Sequence, residues 1–94
     1  MESENSKTVS VQYLVTNQII DITIDIKKTV KDLKDEIEKF FKIKLINKLK
    51  IKHIHKRSPT NLNDENQTIK DARIRNGDII LIAKTDVLGG KFKK

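Results

Sequence analysis

The first third of the chain alternates apolar and polar residues in two runs. Apolar side chains occupy every second position at residues 9–15 and again at residues 20–26, with Asn17-Gln18 between the runs. A period of two places successive side chains on opposite faces of a strand, so each run predicts a strand with one buried and one solvated face. The short connection with an asparagine indicates that the two strands form an antiparallel hairpin.

At Thr29 the apolar spacing changes from two to three and four. The apolar positions that follow it are Val30, Leu33, Ile37, Phe40 and Phe41. Charged residues fill the positions between them, which is the pattern of an amphipathic helix that ends near residue 41. Thr29 is a suitable N-cap, and Asp32 in the first turn faces the positive end of the helix dipole.

The second half of the chain contains two further strand patterns. Within residues 48–55 apolar residues alternate with Lys50 and Lys52, which predicts a third strand with a basic outer face. Residues 78–84 predict a last strand, and because its apolar residues fall on both faces we expect it in the centre of the sheet. The expected core consists of Val11, Val15, Ile22, Leu33, Ile37, Leu49, Ile80 and Ile82.

The segments around these strands carry turn signals. Residues 56–67 are polar and include the single proline, which predicts a long surface loop that Leu62 pins to the core. Residues 68–72 predict a short helical turn, and Asn76-Gly77 predicts a turn in which a positive φ is favourable. From residue 85 onward there is no periodicity, so we expect a flexible end.

A chain of 94 residues is expected to hold one domain, here residues 8–85, between a disordered segment at 1–7 and a flexible tail at 86–94. Only 36% of the residues are apolar, which leaves little material for a deep substrate pocket, so we predict no enzyme activity and no cofactor. The chain has no cysteine, no secretory signal and no long apolar run. These features favour a monomer in the cytoplasm or nucleus without membrane contact.

Positive charge is concentrated in one stretch. The net charge is +7, and residues 42–57 carry seven basic side chains and no acidic one. Such a cluster is typical of a surface that meets an acidic partner, either RNA or a protein, although a solvated lysine-rich face gives the same pattern. The candidate partner-binding residues of this stretch are Lys48, Lys50, Lys52, Lys56 and Arg57.

The order of these elements is typical of an α+β fold, the ubiquitin-like β-grasp, in which a mixed sheet of four to five strands packs on one helix. Residues 68–82 read TIKDARIRNGDIILI and resemble the ubiquitin-family pattern of Thr-Leu-x-Asp-x-x-Ile, an Asn-Gly-Asp turn and a last strand. Residues 29–37 are similar to the family helix. The resemblance covers residues 9–90 and implies that the last strand lies beside the first and parallel to it.

A diglycine, Gly89-Gly90, follows the last strand at the place where ubiquitin-like modifiers carry theirs. The resemblance implies a modifier precursor: a processing protease removes Lys91 to Lys94, and activating and conjugating enzymes then join Gly90 to a target lysine. Two residues without Cβ form a thread thin enough for a narrow enzyme channel. Asp86-Val87-Leu88 replaces the basic run of ubiquitin, which argues against recognition by ubiquitin's own activating enzyme.

Three other interpretations of the same tail are open. Ubiquitin-like domains of splicing factors also end in a diglycine followed by basic residues, and this resemblance implies that Lys91, Lys93 and Lys94 bind RNA together with the basic third strand and are not removed. Fusions of a ubiquitin-like leader to a ribosomal protein also carry Leu-Gly-Gly followed by Lys, which resembles Leu88 to Lys91. A flexible linker that happens to contain two glycines is the simplest alternative. In every case Lys50 occupies the third-strand position of an isoleucine in ubiquitin's apolar patch, so partners that bind that patch should bind poorly.

Two histidines in the basic stretch are candidate metal ligands. His53 and His55 lie two positions apart and project to the same face of a strand. Lys52, Lys56 and Arg57 surround them and would repel a cation. We therefore assign both histidines to the basic face and predict no metal site.

Overall fold

The computed structural model describes residues 5–88. The predictions for residues 1–4 and for residues 89–94, including the diglycine, lie outside the described residues. The described chain contains β1 (Ser6–Tyr13), β2 (Gln18–Asp25), α1 (Val30–Phe41), β3 (Leu49–Lys52), β4 (Thr60–Leu62), β5 (Ile79–Ile82) and a short 3-10 helix (Lys84–Asp86). Within this range no helix is long and apolar enough to cross a membrane.

The five strands form one mixed sheet in the order β2-β1-β5-β3-β4. β1 pairs antiparallel with β2 and parallel with β5, where Val11 lies opposite Ile80. β3 pairs antiparallel with both β5 and β4. The central place of β5 confirms the expectation from its two apolar faces, and the architecture is the predicted ubiquitin-like β-grasp.

The helix begins with a reciprocal cap. The Thr29 hydroxyl accepts a hydrogen bond from the Asp32 amide at 3.2 Å, and the Asp32 carboxylate accepts one from the Thr29 amide at 3.0 Å. The helix ends where Lys42 adopts a left-handed conformation with φ 58°. Phe40, which was expected on the apolar face, is 57% exposed; the next residue, Phe41, continues the buried stripe because it lies four positions after Ile37.

The core lies between α1 and one face of the sheet. Its fully buried apolar side chains are Val9, Val11, Val30, Leu33, Ile37, Ile51, Ile69 and Ile80. Ile22 is partly buried and packs against this cluster. The prediction of a buried Val15 is wrong: the residue is 46% exposed because β1 ends at Tyr13 and Val15 lies in the hairpin turn.

The predicted surface loop at residues 56–67 contains a short strand. β4 pairs with β3 so that Leu62 lies opposite Leu49, and Leu62 is buried as expected. The loop also supplies acceptors for the first turn of α1: the carbonyl of Gln67 accepts from the Val30 amide at 3.0 Å, and that of Glu65 accepts from the Lys31 amide at 2.9 Å. Helix N-termini leave such amides without intrahelical partners, so the loop completes the helix.

Both ends of the domain extend further than predicted. Ser6 and Lys7, expected in a disordered segment, pair with β2 and belong to β1. At the other end Val87 is buried and forms a bridge with Leu45, and the Leu88 amide donates to the Lys44 carbonyl at 2.8 Å. The tail predicted at 86–94 is therefore ordered through Leu88, because contacts distant in sequence hold it.

Candidate partner-binding surface

Two of the predicted basic residues lie side by side on the sheet. Leu49 and Ile51 of β3 are buried in the core, so Lys50 and Lys52 project from the opposite, outer face of the sheet. We call Lys50 and Lys52 the basic strand face. Lys50 is exposed and has no ionic or hydrogen-bond partner among residues 5–88.

Apolar side chains adjoin the basic strand face on β5. Leu81 lies opposite Lys50 and Ile79 lies opposite Lys52, and both apolar residues are only partly buried on the outer face. The outer face thus combines cationic and apolar side chains at neighbouring positions. This combination is suited to a protein partner that carries both acidic and apolar residues.

The acidic side of the outer sheet face is too distant to neutralise these lysines. Lys52, Ile79, Ser10 and Asp21 occupy one row across four strands. Three strand spacings separate Lys52 from Asp21, about 14 Å, which exceeds the Debye length of about 8–10 Å near physiological salt. Ser10 instead donates a hydrogen bond to Asp21 at 3.0 Å. Asp86 lines the same shallow groove as Lys50, but no carboxylate of the described chain forms an ion pair with Lys50.

The other predicted basic residues have different surroundings. Lys48 lies 3.8 Å from the Glu65 carboxylate, and the Lys52 ammonium donates to the Lys56 carbonyl at 3.1 Å. Arg57 is exposed in the turn after β3. The predicted conjugation residues Gly89 and Gly90 and the tail lysines Lys91, Lys93 and Lys94 lie outside the described residues. The structure thus brings the β3 lysines and Lys56 together and leaves the tail untested.

His53 does not belong to the exposed basic face. Its side chain is buried, and its Nδ1 lies 2.7 Å from Oδ2 of Asp78, which has no solvent exposure. His55 is exposed, and the two imidazole rings are 5.6 Å apart. The correction was accessible from the sequence, since Leu49, Ile51 and His53 share the same inward parity. Within residues 5–88 no group of three His, Cys, Asp or Glu side chains is arranged to hold a metal ion.

Sequence reasoning also missed the role of Asp78. Its Oδ2 accepts a hydrogen bond from the Arg75 amide at 2.9 Å, and its Oδ1 accepts one from the Ile54 amide at 3.1 Å. One buried carboxylate thereby joins the end of β3, the turn before β5 and the start of β5. The only sequence signal was an aspartate directly after Asn76-Gly77, which the turn pattern alone explains.

A small cleft opens above Asp78. It has a volume of about 170 Å³ and is lined by His53, His55, Lys56, Arg73 and Arg75. We call these five residues the Asp78 cleft. A shallower groove of about 610 Å³ continues from Arg73 and Arg75 toward Lys7 and Lys70. The sequence pattern does not group these side chains, because 16 residues of chain separate Lys56 from Arg73.

An acidic groove adjoins the basic one at the end of β2, where Asp25 lines the acidic groove and Ile26 lines the basic groove. It has a volume of about 420 Å³ and lies between β2 and α1. Its acidic side chains are Asp25, Asp32, Asp35 and Glu36. The backbone hydrogen bond from Thr29 holds the pKa of the Asp32 carboxyl below its ordinary value of 3.8. Lys28 and Lys39 also line this groove, so its acidic side chains are partly balanced.

The fold has clear structural neighbours although the sequence does not. No protein-family model matches the sequence, and no curated protein is similar to it. The ubiquitin-like domain of tubulin-binding cofactor B superposes with a TM-score of 0.77 at 18% identity and covers 95% of this chain and 98% of its own. The C-terminal ubiquitin-like domain of mouse tubulin-specific chaperone e superposes with a TM-score of 0.69 at 16% identity, and the match covers 88% of this chain and 90% of that domain.

A third neighbour is the ubiquitin-like domain of yeast Ddi1, with a TM-score of 0.59 at 13% identity and coverage of 86% of this chain and 91% of its own. All three are described as ubiquitin-like domains of other proteins, and none of the three is described as a conjugated modifier. At such low identity the likeness shows the fold alone. It is a ubiquitin-like fold.

Proposed function

We propose that this ubiquitin-like domain is a non-conjugated binding module that recognises an acidic segment of another protein through the basic strand face. Lys50 carries the proposal, because it is an exposed cation without an ionic partner and it adjoins the partly buried Leu81. Desolvated apolar contact supplies affinity at such a surface, and the lysines supply orientation and fast association.

The structural neighbours support a protein partner. Two of them are named for tubulin, as a binding cofactor and as a specific chaperone. Tubulin is therefore the first protein that we would test as a ligand of this domain. Capture of tubulin by the unmodified chain, and weaker capture by a variant without the basic strand face, is the expected result.

The direct test measures binding of a labelled glutamate-rich peptide to the full chain by fluorescence anisotropy. Lys50→Gln combined with Lys52→Gln should weaken binding about fivefold, equivalent to about 1 kcal/mol for two partly screened charges. Lys31→Gln combined with Lys39→Gln is the matched control, because it removes the same two charges from exposed positions of α1. Equal weakening by both variants would show that only net charge matters and would contradict the proposal.

The modifier hypothesis predicts a different behaviour. A donor tail must extend away from the domain to reach an enzyme channel, and the last hydrogen bond of the described chain is that of the Leu88 amide with the Lys44 carbonyl. The support for a non-conjugated role comes from the structural neighbours, which are ubiquitin-like domains of other proteins. Incubation with lysate of the source followed by mass spectrometry should leave the chain intact. Loss of Lys91 to Lys94 together with isopeptide adducts ending in Gly90 would favour the modifier instead.

RNA is the remaining candidate partner. Aromatic side chains that stack on bases are common in single-strand binding surfaces. Here Tyr13 and Phe41 pack together with ring centroids 4.9 Å apart at the far end of β1, and neither lies on the basic strand face. A titration with single-stranded RNA at two salt concentrations should therefore show weak binding. Tight, salt-sensitive binding that disappears in a chain ended at Gly90 would favour RNA.

A further inference from the structure

We propose that the Asp78 cleft binds the phosphate group of a phosphorylated side chain on the partner protein. The inference rests on the proposed function, since it assumes a protein ligand, and it adds a specific chemical group and a second set of residues. The cleft residues are distinct from Lys50 and Lys52 of the basic strand face. The two surfaces adjoin where the chain leaves β3 at Lys52 and enters the cleft at His53.

The charge of the cleft selects an anion. Lys56, Arg73 and Arg75 line it, and their side chains have no ion-pair or hydrogen-bond partner within the described chain. The carboxylate beneath them, Asp78, is fully buried and already accepts three hydrogen bonds. Three neighbouring cations repel each other in the free domain, and a dianion between them converts that repulsion into attraction.

His53 offers a buried polar atom to the same ligand. Its Nδ1 is engaged by Asp78 at 2.7 Å, so Nε2 is the ring nitrogen that is left to face a ligand in the cleft. A carboxylate on one ring nitrogen fixes the orientation of the imidazole. Nε2 is therefore a polar atom of fixed orientation beside the proposed phosphate group.

The turn that presents the two arginines is rigid. Arg73 adopts a left-handed conformation with φ 60°, which carries an energetic cost for a residue with a side chain. The neighbouring Ile69 and Ile74 are buried in the core and hold the turn from below. The Asp78 carboxylate fixes the Arg75 amide from the other side. Both guanidinium groups therefore start from a fixed backbone, and guanidinium groups bind phosphate through paired hydrogen bonds.

The dimensions of the cleft favour a single phosphate group over a nucleic acid chain. A volume of about 170 Å³ accommodates one phosphoryl group and its linking atoms. The groove of about 610 Å³ that continues from Arg73 and Arg75 is long enough for further backbone phosphates, but a nucleic acid strand also needs a surface on which bases stack. Tyr13 lies at the opposite end of β1 from Thr8, whose carbonyl is bonded by Gly77 beside the cleft. A phosphorylated side chain is therefore the better fit.

The test compares a phosphoserine peptide with the same peptide carrying serine, using NMR titration of the full chain. Phosphorylation should increase affinity about tenfold or more, and the largest amide shifts should fall at Ile54 and Arg75. Arg73→Gln combined with Arg75→Gln should abolish the gain. Both side chains are exposed and the backbone amide of Arg75 is kept, so the variant retains the Asp78 hydrogen bonds. Lys31→Gln combined with Lys39→Gln is again the charge-matched control.

Each outcome decides between the two proposals. If phosphorylation gives no gain while Lys50→Gln still weakens the glutamate-rich peptide, the phosphate site is wrong and the acidic-partner function stands. If neither peptide binds, the proposed function fails as well. Tighter binding of single-stranded RNA than of the phosphopeptide, with equal sensitivity to the arginine variant, would assign the cleft to nucleic acid and overturn the inference. If the NMR spectrum shows that the double arginine variant is unfolded, Lys56→Gln takes its place, because the Lys56 side chain has no hydrogen bond or ion pair within the described chain.

Discussion

A single buried residue, Asp78, organises the end of the sheet where β3 and β5 meet the turn before β5. Asp78 is buried with full hydrogen bonding, and the cations around it are exposed without partners. Buried carboxylates persist where several donors compensate their lost hydration. In this domain the compensation comes from His53 and two backbone amides, which leaves Arg73 and Arg75 available to solvent and ligands.

Asp78→Ala should lower the free energy of unfolding by about 3 kcal/mol, because it leaves a buried imidazole nitrogen and two partly buried amides without their acceptor. Urea unfolding followed by circular dichroism measures the change. Asp71→Ala is the control, since this aspartate is exposed and its carboxylate has no described partner. A loss below about 1 kcal/mol would show that water replaces the carboxylate in the variant.

Among the secondary structure elements, those with local signals were predicted and those without were not. The hairpin and α1 follow from periods of two and three to four, and the Thr29 cap follows from residue type. β4 has only three residues and a polar sequence, so its strand character depends on pairing with β3. The order near Val87 depends on Leu45, which is 42 positions away. Such contacts leave no local pattern in the sequence.

The same limit applies to the candidate site. The basic strand face was predicted because alternation places Lys50 and Lys52 together on one strand. The Asp78 cleft was not, since it combines the end of β3 with the turn before β5. Only the pairing of β3 with β5 brings these segments together. A charge count along the chain cannot reveal a cluster that tertiary structure assembles.

Ile37→Ala tests the helix assignment. Ile37 is fully buried in the core, and the cavity left by truncation should lower the free energy of unfolding by about 2–5 kcal/mol. Ile46→Ala removes the same atoms at a position that is 53% exposed and should have a small effect. Equal losses in thermal or urea unfolding would mean that the helix does not pack on the sheet through this face.

For the molecule as a whole, Glu65 links three parts of the chain. Its carboxylate lies 2.9 Å from the Lys34 ammonium of α1 and 3.8 Å from that of Lys48 before β3. The hydrogen bond from Lys34, with the charges of neighbouring lysines, holds the pKa of Glu65 below its ordinary value of 4.5. A loop residue thus anchors the helix and the basic part of the sheet to each other.

Acid should therefore weaken the domain partly through Glu65. A carboxyl whose pKa is lower in the folded state stabilises the fold above its unfolded pKa, near 4.5, and this contribution is lost as the pH falls through the folded value. Glu65→Gln lacks the contribution at every pH. Urea unfolding at neutral pH and in acid should show the difference between wild type and variant shrinking in acid. A constant difference would contradict the assignment.

The first turn of α1 depends on residues more than thirty positions later in the chain. The amides of Val30 and Lys31 donate to the Gln67 and Glu65 carbonyls, whereas an isolated helix leaves its first amides to capping side chains or water. Hydrogen exchange at these two amides therefore reports the opening of the β4 loop rather than fraying of the helix. The β4 loop and the first turn of α1 open together as one cooperative unit. A ligand that immobilises the loop would therefore slow hydrogen exchange in a helix that it does not contact.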